Sequence, residues 1–412
     1  MLTSWRAAVV LFLVTLSAGA VEPAGRKFSF GAARVGFAEV GAGAAYSAER
    51  GFGFDLGTSP AEGKAFYFSV GLPEGNYLVT VTLGHDTADG DTTVKAESRR
   101  LMVQGVKTKP GEGVARSFVV NLRRPAITGG GGVKLKAREL GYLHWDDKLT
   151  LEFGGPRPAV RAVEVEPAPA DTVTVFLAGD STVTDQPNEP YNSWGQMLPR
   201  FFKLTVAIAN HAESGESLRS FTGAKRIDKV WSTIKPGDYL VIQFGHNDQK
   251  DTSPGAGAMT TYKDAVKRYV AEARRRGAHA VLVTPVSRRS FGPEGKIVSN
   301  LGDFPAAVRQ VAKEEDVPLI DLNAMSQAFY EAMGPDGSKK AFAPGDNTHH
   351  NNYGSYHLAR CVAEGVRRAV PGLARHLADG LPPFDPAKPS PPEGFDVPAS
   401  PVSPAARKPD GN

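Results

Sequence analysis

Between about residue 26 and residue 165 apolar positions recur at every second residue. Tyr77, Val79, Val81 and Leu83 share one face of 76–83, Phe118, Val120 and Leu122 one face of 116–123, and Leu149, Leu151 and Phe153 one face of 148–153. Such alternation marks strands with one buried side. Leu72-Pro73-Glu74-Gly75, Asp89-Gly90-Asp91 and the glycine run 129–132 separate them with turn chemistry. No long helical pattern intervenes, which predicts an antiparallel β-sandwich of jelly-roll type over 26–165.

The period changes after Glu166-Pro167-Ala168-Pro169-Ala170, a stiff linker over 166–171. Beyond it, continuous apolar runs at 173–178, 204–209, 239–244, 280–284 and 317–322 alternate with helix-like segments at 193–202, 217–233, 260–276, 304–315 and 353–370. Strands that are apolar on both faces belong in a parallel sheet covered by helices on both sides. The fold class is therefore α/β, a three-layer α/β/α domain over 172–378 behind the sandwich. Ten of the last 32 residues are proline, so 379–412 reads as an extended, uncovered and disordered tail.

Composition narrows the function classes. With 22% charged and 41% hydrophobic residues among 412, the chain is globular. A formal net charge of +4, without a long basic run, does not suit a nucleic-acid partner. Arg6, the apolar run 7–16 and Ala18-Gly19-Ala20 have the pattern of a signal peptide over 1–20, which predicts export to a periplasm or out of the cell. The apolar run falls short of the ~20 residues of a membrane span, so no membrane association is expected after cleavage. Cys361 is the single cysteine and sits in a helix-like apolar stretch, the setting of a buried structural thiol.

In open α/β sheets reactive groups gather beyond the carboxyl ends of strands. Four polar segments lie there: Gly179-Asp180-Ser181-Thr182, the stretch from Asn210 through Gly215 to Ser217, Gly245-His246-Asn247-Asp248, and Gly345-Asp346-Asn347-Thr348-His349-His350. A serine hydroxyl needs a base within hydrogen-bond reach and a third group to orient that base. Ser181, His349 and Asp346 fit these roles, since one turn can present both members of Asp346-x-x-His349. The N–H of Ser181, the N–H of Gly215 and the side-chain amide of Asn247 are candidates for an oxyanion hole. Each segment alone is common loop chemistry; their order at successive strand ends is what carries the reading.

With these blocks at 176–181, 210–215, 245–248 and 346–349, the chain resembles the SGNH, or Gly-Asp-Ser, hydrolases over about 172–377. The resemblance implies a nucleophile at Ser181, a base at His349, an orienter at Asp346 and oxyanion donors at Ser181, Gly215 and Asn247. The Gly-x-Ser-x-Gly elbow of α/β-hydrolases is missing. Asn192-Ser193-Trp194-Gly195-Gln196, Leu218-Arg219-Ser220-Phe221 and Thr284-Pro285-Val286-Ser287-Arg288-Arg289 are most similar to rhamnogalacturonan acetylesterases. Bacterial members carry an N-terminal galactose-binding-like sandwich, so the resemblance implies that fold for 26–165. It implies an exported serine esterase that removes O-acetyl groups from pectic polysaccharide, with acetylated polysaccharide or oligosaccharide as partner and no cofactor.

Alternatives stay open at this point. Asp346, His349, His350 and His246 have the residue types of a metal site. Arg288 and Arg289 follow the fourth strand, where an arginine fork suits a galacturonate carboxylate or an ordinary surface ion pair. His350 either lines the substrate pocket or belongs to a capped loop, and His357 reads as structural. Trp145 with Asp146 and Asp147 could contact sugar or calcium, or pack the sandwich beside a turn. A lipase, thioesterase or arylesterase would use the same triad, and an inactive carbohydrate-binding protein would keep only the fold.

Overall fold

The computed structural model describes residues 25–60, 63–401 and 409–410. The segment expected as a signal peptide lies outside them. The first domain contains β1 (Arg26–Phe30), β2 (Ala38–Val40), β3 (Phe52–Asp55), β4 (Phe66–Gly71), β5 (Gly75–Leu83), β6 (Gly90–Ala96), β7 (Arg100–Thr108), β8 (Val114–Leu122), β9 (Lys148–Arg157) and β10 (Val160–Pro167). They form two five-stranded sheets, ordered β2-β1-β10-β5-β8 and β3-β4-β9-β6-β7. Every neighbouring pair is antiparallel except β1–β2, which is parallel. Both sheets contribute to one apolar core, in which Phe28, Val79, Val81 and Val163 of the first meet Phe68, Val94, Leu151 and Phe153 of the second. In β5 the buried positions alternate as expected, because Tyr77, Val79, Val81 and Leu83 face inward.

The second domain is a parallel sheet of β11 (Val173–Gly179), β12 (Val206–Asn210), β13 (Tyr239–Gln243), β14 (His279–Val283) and β15 (Leu319–Ile320), ordered β12-β11-β13-β14-β15. Its helices are α1 (Trp194–Met197), α2 (Leu218–Gly223), α3 (Arg226–Thr233), α4 (Lys263–Arg275), α5 (Phe304–Glu314), α6 (Leu322–Gly337), α7 (Asn352–Ala369) and α8 (Pro371–Ala374). Successive strand residues point to opposite faces. Phe176, Ala178, Leu240 and Ile242 therefore pack under α2 to α5, whereas Val175, Leu177, Val241 and Val281 pack under α1, α6 and α7. The strand order reverses at β11, so the loop after it opens at the crevice where such folds bind ligands.

Three elements differ from expectation. The single helix expected at 217–233 is two, because Lys225 sits in the left-handed region at φ 60°. The segment 193–202 is a short α-helix running into a 3-10 turn that begins at Leu198 and Pro199. The strand expected to reach 322 stops at Ile320, since Asp321 caps α6 by accepting from Ala324 N. Cys361 is buried in α7, as anticipated.

The proline-rich segment needs a correction: from 384 to 400 it is anchored to the protein at a few buried residues, with exposed stretches and turns between them. Phe384, Val397 and Ser400 are buried. Tyr353 Oη donates to Ser390 O at 2.7 Å, Lys95 Nζ of β6 donates to Pro398 O at 2.7 Å, and Ser400 N donates to Glu189 Oε1 at 2.9 Å. A few apolar side chains suffice to dock it, because a proline-rich chain has little backbone freedom to lose. Residues 402–408 and 411–412 of this expectation lie outside the described residues.

A second connection ties the domains. Residues 123–147, between β8 and β9, leave the sandwich as an arm laid on the α/β domain. Lys134 N donates to Ala224 O at 2.9 Å. Glu139 of the arm and Arg226 of α3 form a fully buried ion pair. Lys229 Nζ donates to Ala126 O at 2.6 Å and to Glu74 Oε1 at 2.7 Å.

Candidate active site

The four polar segments meet at the carboxyl edge of the parallel sheet. Register pairs Leu177 with Asn210 and Gly179 with Gln243, so the loops after β11, β12 and β13 emerge side by side. Gly179 has no room for a side chain: a Cβ there would sit 2.5 Å from Val183 Cγ2 and 2.9 Å from Gln243 O. The chain then turns sharply around Asp180, whose Oδ1 accepts from Thr182 N at 2.9 Å and Thr182 Oγ1 at 2.8 Å. Asp180 Oδ2 lies 3.1 Å from His246 Nδ1. Burial opposes ionisation of Asp180, but His246 and the Thr182 donors outweigh it and hold the carboxyl below its ordinary range.

This turn presents Ser181 to the loop before α7. Ser181 Oγ is 2.9 Å from His349 Nε2, and His349 Nδ1 is 3.0 Å from Asp346 Oδ2. Asp346 Oδ1 accepts the backbone N–H groups of Thr348 at 2.8 Å and His349 at 3.0 Å. Burial again disfavours the carboxylate, yet these donors together hold Asp346 well below the usual carboxylate range. A carboxylate that stays ionised keeps the proton of the imidazole on Nδ1 and leaves Nε2 as the acceptor of the serine proton.

The oxyanion candidates are placed around the same serine loop. Among the described residues neither Ser181 N nor Gly215 N donates to a protein acceptor. Asn247 Nδ2 donates one hydrogen to Glu216 O at 3.0 Å, which ties it to the carbonyl of the residue after Gly215. Gly215 has φ +82°, in the region that favours glycine.

Several supports lay beyond sequence reasoning. Gln186 Nε2 donates to Ser181 O at 2.7 Å, Gln243 Nε2 to Thr182 Oγ1 at 2.6 Å, and Asn210 Nδ2 to Val183 O at 2.7 Å. Asn210 and Gln243 close their strands, a position that could have marked them. Asp248 accepts from Leu218 N at 2.9 Å and Gly245 N at 3.0 Å, and burial pushes its carboxyl up to about 7. Lys136 and Arg138, on the arm, reach the loop after β12; nothing in the sequence places them there.

His350 packs inside the fold. It is buried, its Nε2 lies 2.7 Å from Tyr330 Oη, its ring packs on Tyr330 and Phe342, and burial lowers its pKa to about 3. Arg289 is half-buried: Nη2 donates to Asn347 Oδ1 at 2.7 Å and Nη1 to Pro335 O at 2.9 Å, joining the Asp346 loop to the turn beyond the break in α6 at Gly334. Arg288 stays partly exposed, with Nε donating to Thr348 Oγ1 at 3.2 Å and Nη1 to Asn300 Oδ1 at 3.3 Å. His246 faces acceptors on both sides, Asp180 and, at 2.9 Å, Val286 O. No group of three or more His, Cys, Asp or Glu among the described residues is arranged to hold a metal ion. Trp145 is buried between the Arg123 guanidinium at 4.5 Å and the His211 ring at 5.9 Å, at the domain junction, while Asp146 caps a turn through Lys148 N at 3.1 Å.

The comparisons agree with this geometry. The GDSL-like Lipase/Acylhydrolase family matches residues 177–357. The rhamnogalacturonan acetylesterase RhgT of Bacillus subtilis is 41% identical over 220 residues, covering 50% of this chain and 94% of RhgT. The uncharacterized esterase YxiM of the same organism is 29% identical over 399 residues, covering 88% of this chain and 98% of YxiM. A rhamnogalacturonan acetylesterase of Emericella nidulans is 29% identical over 218 residues, covering 48% of this chain and 84% of that protein. With the serine loop, the Asp346–His349 pair and the sheet edge in these positions, the chain belongs to the GDSL-like lipase/acylhydrolase family.

Proposed function

We propose that the protein is an exported carbohydrate O-acetylesterase that deacetylates rhamnogalacturonan through an acyl-enzyme. The observation that carries the reading is the continuous path from Ser181 Oγ through His349 to Asp346, at 2.9 and 3.0 Å, with the N–H groups of Ser181 and Gly215 finding no protein acceptor among the described residues. As Ser181 Oγ attacks the acetyl carbonyl carbon, His349 Nε2 takes its proton. Asp346 stays ionised and stabilises the imidazolium. The N–H groups of Ser181 and Gly215 and the Asn247 amide receive the negative charge on the former carbonyl oxygen. Collapse breaks the ester bond, and His349 returns the proton to the departing sugar oxygen. Water, activated by the same histidine, then releases acetate and restores Ser181.

The acetylated sugar is supported by the relatives named rhamnogalacturonan acetylesterase. Export is supported by the pattern of residues 1–20. Acetate release from acetylated rhamnogalacturonan, homogalacturonan, xylan and glucomannan tests the substrate, with Ser181→Ala as the control for the chemistry. The reading expects rhamnogalacturonan to be hydrolysed fastest and the variant to be inactive on all four. Preference for a neutral polysaccharide would refute the pectic substrate, and a Ser181→Ala enzyme with wild-type turnover would refute the mechanism.

A further inference from the structure

The arm between β8 and β9 does more than join two domains. It carries a 3-10 helix, Ala137–Gly141, that sets Arg138 against the loop after β12. Lys136 Nζ donates to Ser214 O at 2.5 Å, and Arg138 Nη2 donates to the same oxygen at 2.9 Å. That carbonyl belongs to the peptide whose other end is the N–H of Gly215. Among the described residues the only cis peptide is Glu189–Pro190, so Ser214–Gly215 is trans. In a trans peptide C=O and N–H point in opposite directions. Two cations holding the oxygen therefore fix the N–H on the far side.

The clamp is itself held. Arg138 Nε and Nη2 donate to Glu213 Oε1 at 3.1 and 2.6 Å, and Arg138 Nη1 pairs with Asp410. Lys136 Nζ lies 2.8 Å from Glu216 Oε1, Arg226 Nε is 3.7 Å from the same oxygen, and Arg226 pairs with Glu139. Lys136 N donates to Glu139 Oε2 at 2.8 Å. Glu216 beside Lys136 and Glu213 beside Arg138 offset the repulsion between the two cations at the peptide.

The loop supplies no such restraint. Its own backbone bonds run from Glu213 N to Gly179 O at 3.2 Å and from Glu216 N to Glu213 O at 3.2 Å; neither involves the Ser214–Gly215 peptide. Gly215, at φ +82°, can adopt backbone angles closed to other residues. A glycine peptide without a partner can rotate and put its carbonyl where the N–H should be. A carbonyl there would repel a developing oxyanion.

We infer that Lys136 and Arg138 of the sandwich domain are positioning residues that lock the Ser214–Gly215 peptide with its N–H turned toward the oxyanion, making the N-terminal domain part of the catalytic apparatus. The inference rests on the esterase reading above. Hydrogen bonds from two cations also polarise the peptide and strengthen its N–H as a donor.

The test uses the full chain and a small ester, p-nitrophenyl acetate, which needs no polysaccharide-binding surface. Removing one oxyanion donor costs roughly 10²–10³ in turnover, so Lys136→Met/Arg138→Met should lose about 10- to 300-fold in kcat with KM within about threefold. Phenylboronic acid, whose serine adduct places an oxygen in the oxyanion hole, should weaken by a similar factor. Lys136→Arg keeps a cationic donor and should retain most activity. Lys229→Met removes a different domain-joining contact and should keep kcat within about threefold.

The inference is overturned by unchanged kcat in the double variant, by lost kcat with unchanged boronate affinity, or by an equal loss in Lys229→Met. Should Lys136→Met/Arg138→Met fail to fold, the single variants Lys136→Met and Lys136→Arg, compared by the same two measurements, decide it. Ser181→Ala separates the two levels. An active Ser181→Ala enzyme refutes the esterase reading itself, whereas an inactive one beside an active arm variant refutes only the role of the arm.

Discussion

Asp346→Asn is nearly isosteric and removes both the negative charge beside the imidazole and the oxygen that accepts the Nδ1 hydrogen. Oδ1 receives two backbone N–H groups, from Thr348 and His349, so the asparagine carbonyl oxygen is held there. Its amide nitrogen then faces His349 Nδ1, replacing the Oδ2 contact of 3.0 Å. An N–H donor at that place favours the imidazole with Nδ1 unprotonated and the hydrogen on Nε2. Nε2, 2.9 Å from Ser181 Oγ, can then no longer accept the serine proton.

The equivalent exchange in a serine triad lowers kcat by about 10⁴, or about 5 kcal/mol at 1.36 per decade. We expect a loss of that order on p-nitrophenyl acetate, measured with KM and with thermal unfolding of the same samples. The folded carboxyl is depressed, so Asp346 contributes stability above the unfolded carboxyl value of about 4, and loses it as pH falls through the folded value. The stability gap between wild type and Asp346→Asn should therefore narrow in acid. A folded Asp346→Asn enzyme keeping more than about a tenth of wild-type kcat would refute the tautomer argument.

Other outcomes follow from the same contacts. Asn247→Ala should cost roughly 10²–10³ in kcat, and a change below about threefold would remove this amide from the site. Arg289→Ala should reduce turnover of a small acetyl ester and of acetylated rhamnogalacturonan alike, because it frees the Asp346 loop from the turn beyond Gly334; loss on the polymer alone would make it a substrate contact. Glu97, buried in the β6–β7 turn, is pushed up to about 8 by burial, with nearby Arg100 opposing. The unfolded chain releases this proton at lower pH, so Glu97 costs stability increasingly as pH rises from about 4 to about 8. Glu97→Gln should therefore gain Tm relative to wild type over that interval; a difference that does not change with pH contradicts this.

What the sequence made legible follows the physics that is local. Alternation in 76–83 and the apolar runs of the parallel strands are one-dimensional signals, and both emerged with their faces as expected. The grouping of Ser181, His349 and Asp346 is legible because Ser181 follows a strand end and Asp346-x-x-His349 shares one turn before the last helix. The split at Lys225 was not, since a left-handed residue other than glycine leaves no mark in periodicity. The docked proline-rich segment was hidden because composition counts residues but not where Phe384 and Val397 fit. Residue type alone does not place His350 or Arg289, because their contacts, Tyr330 for the one and Asn347 for the other, lie far off in sequence. Lys136 and Arg138 belong to the sandwich by sequence and to the loop after β12 by contact, information that only the tertiary fold holds.

The central claim is a covalent acetyl group on Ser181. Rapid acid quench of the enzyme during turnover of p-nitrophenyl acetate, followed by peptide mass analysis, tests it directly. The Asn247→Ala enzyme and the wild type should both carry acetyl on the peptide containing Ser181, and Ser181→Ala should carry none. An enzyme that turns over at full rate with no acetyl on that peptide, or with the label on another residue that turnover requires, would contradict the account.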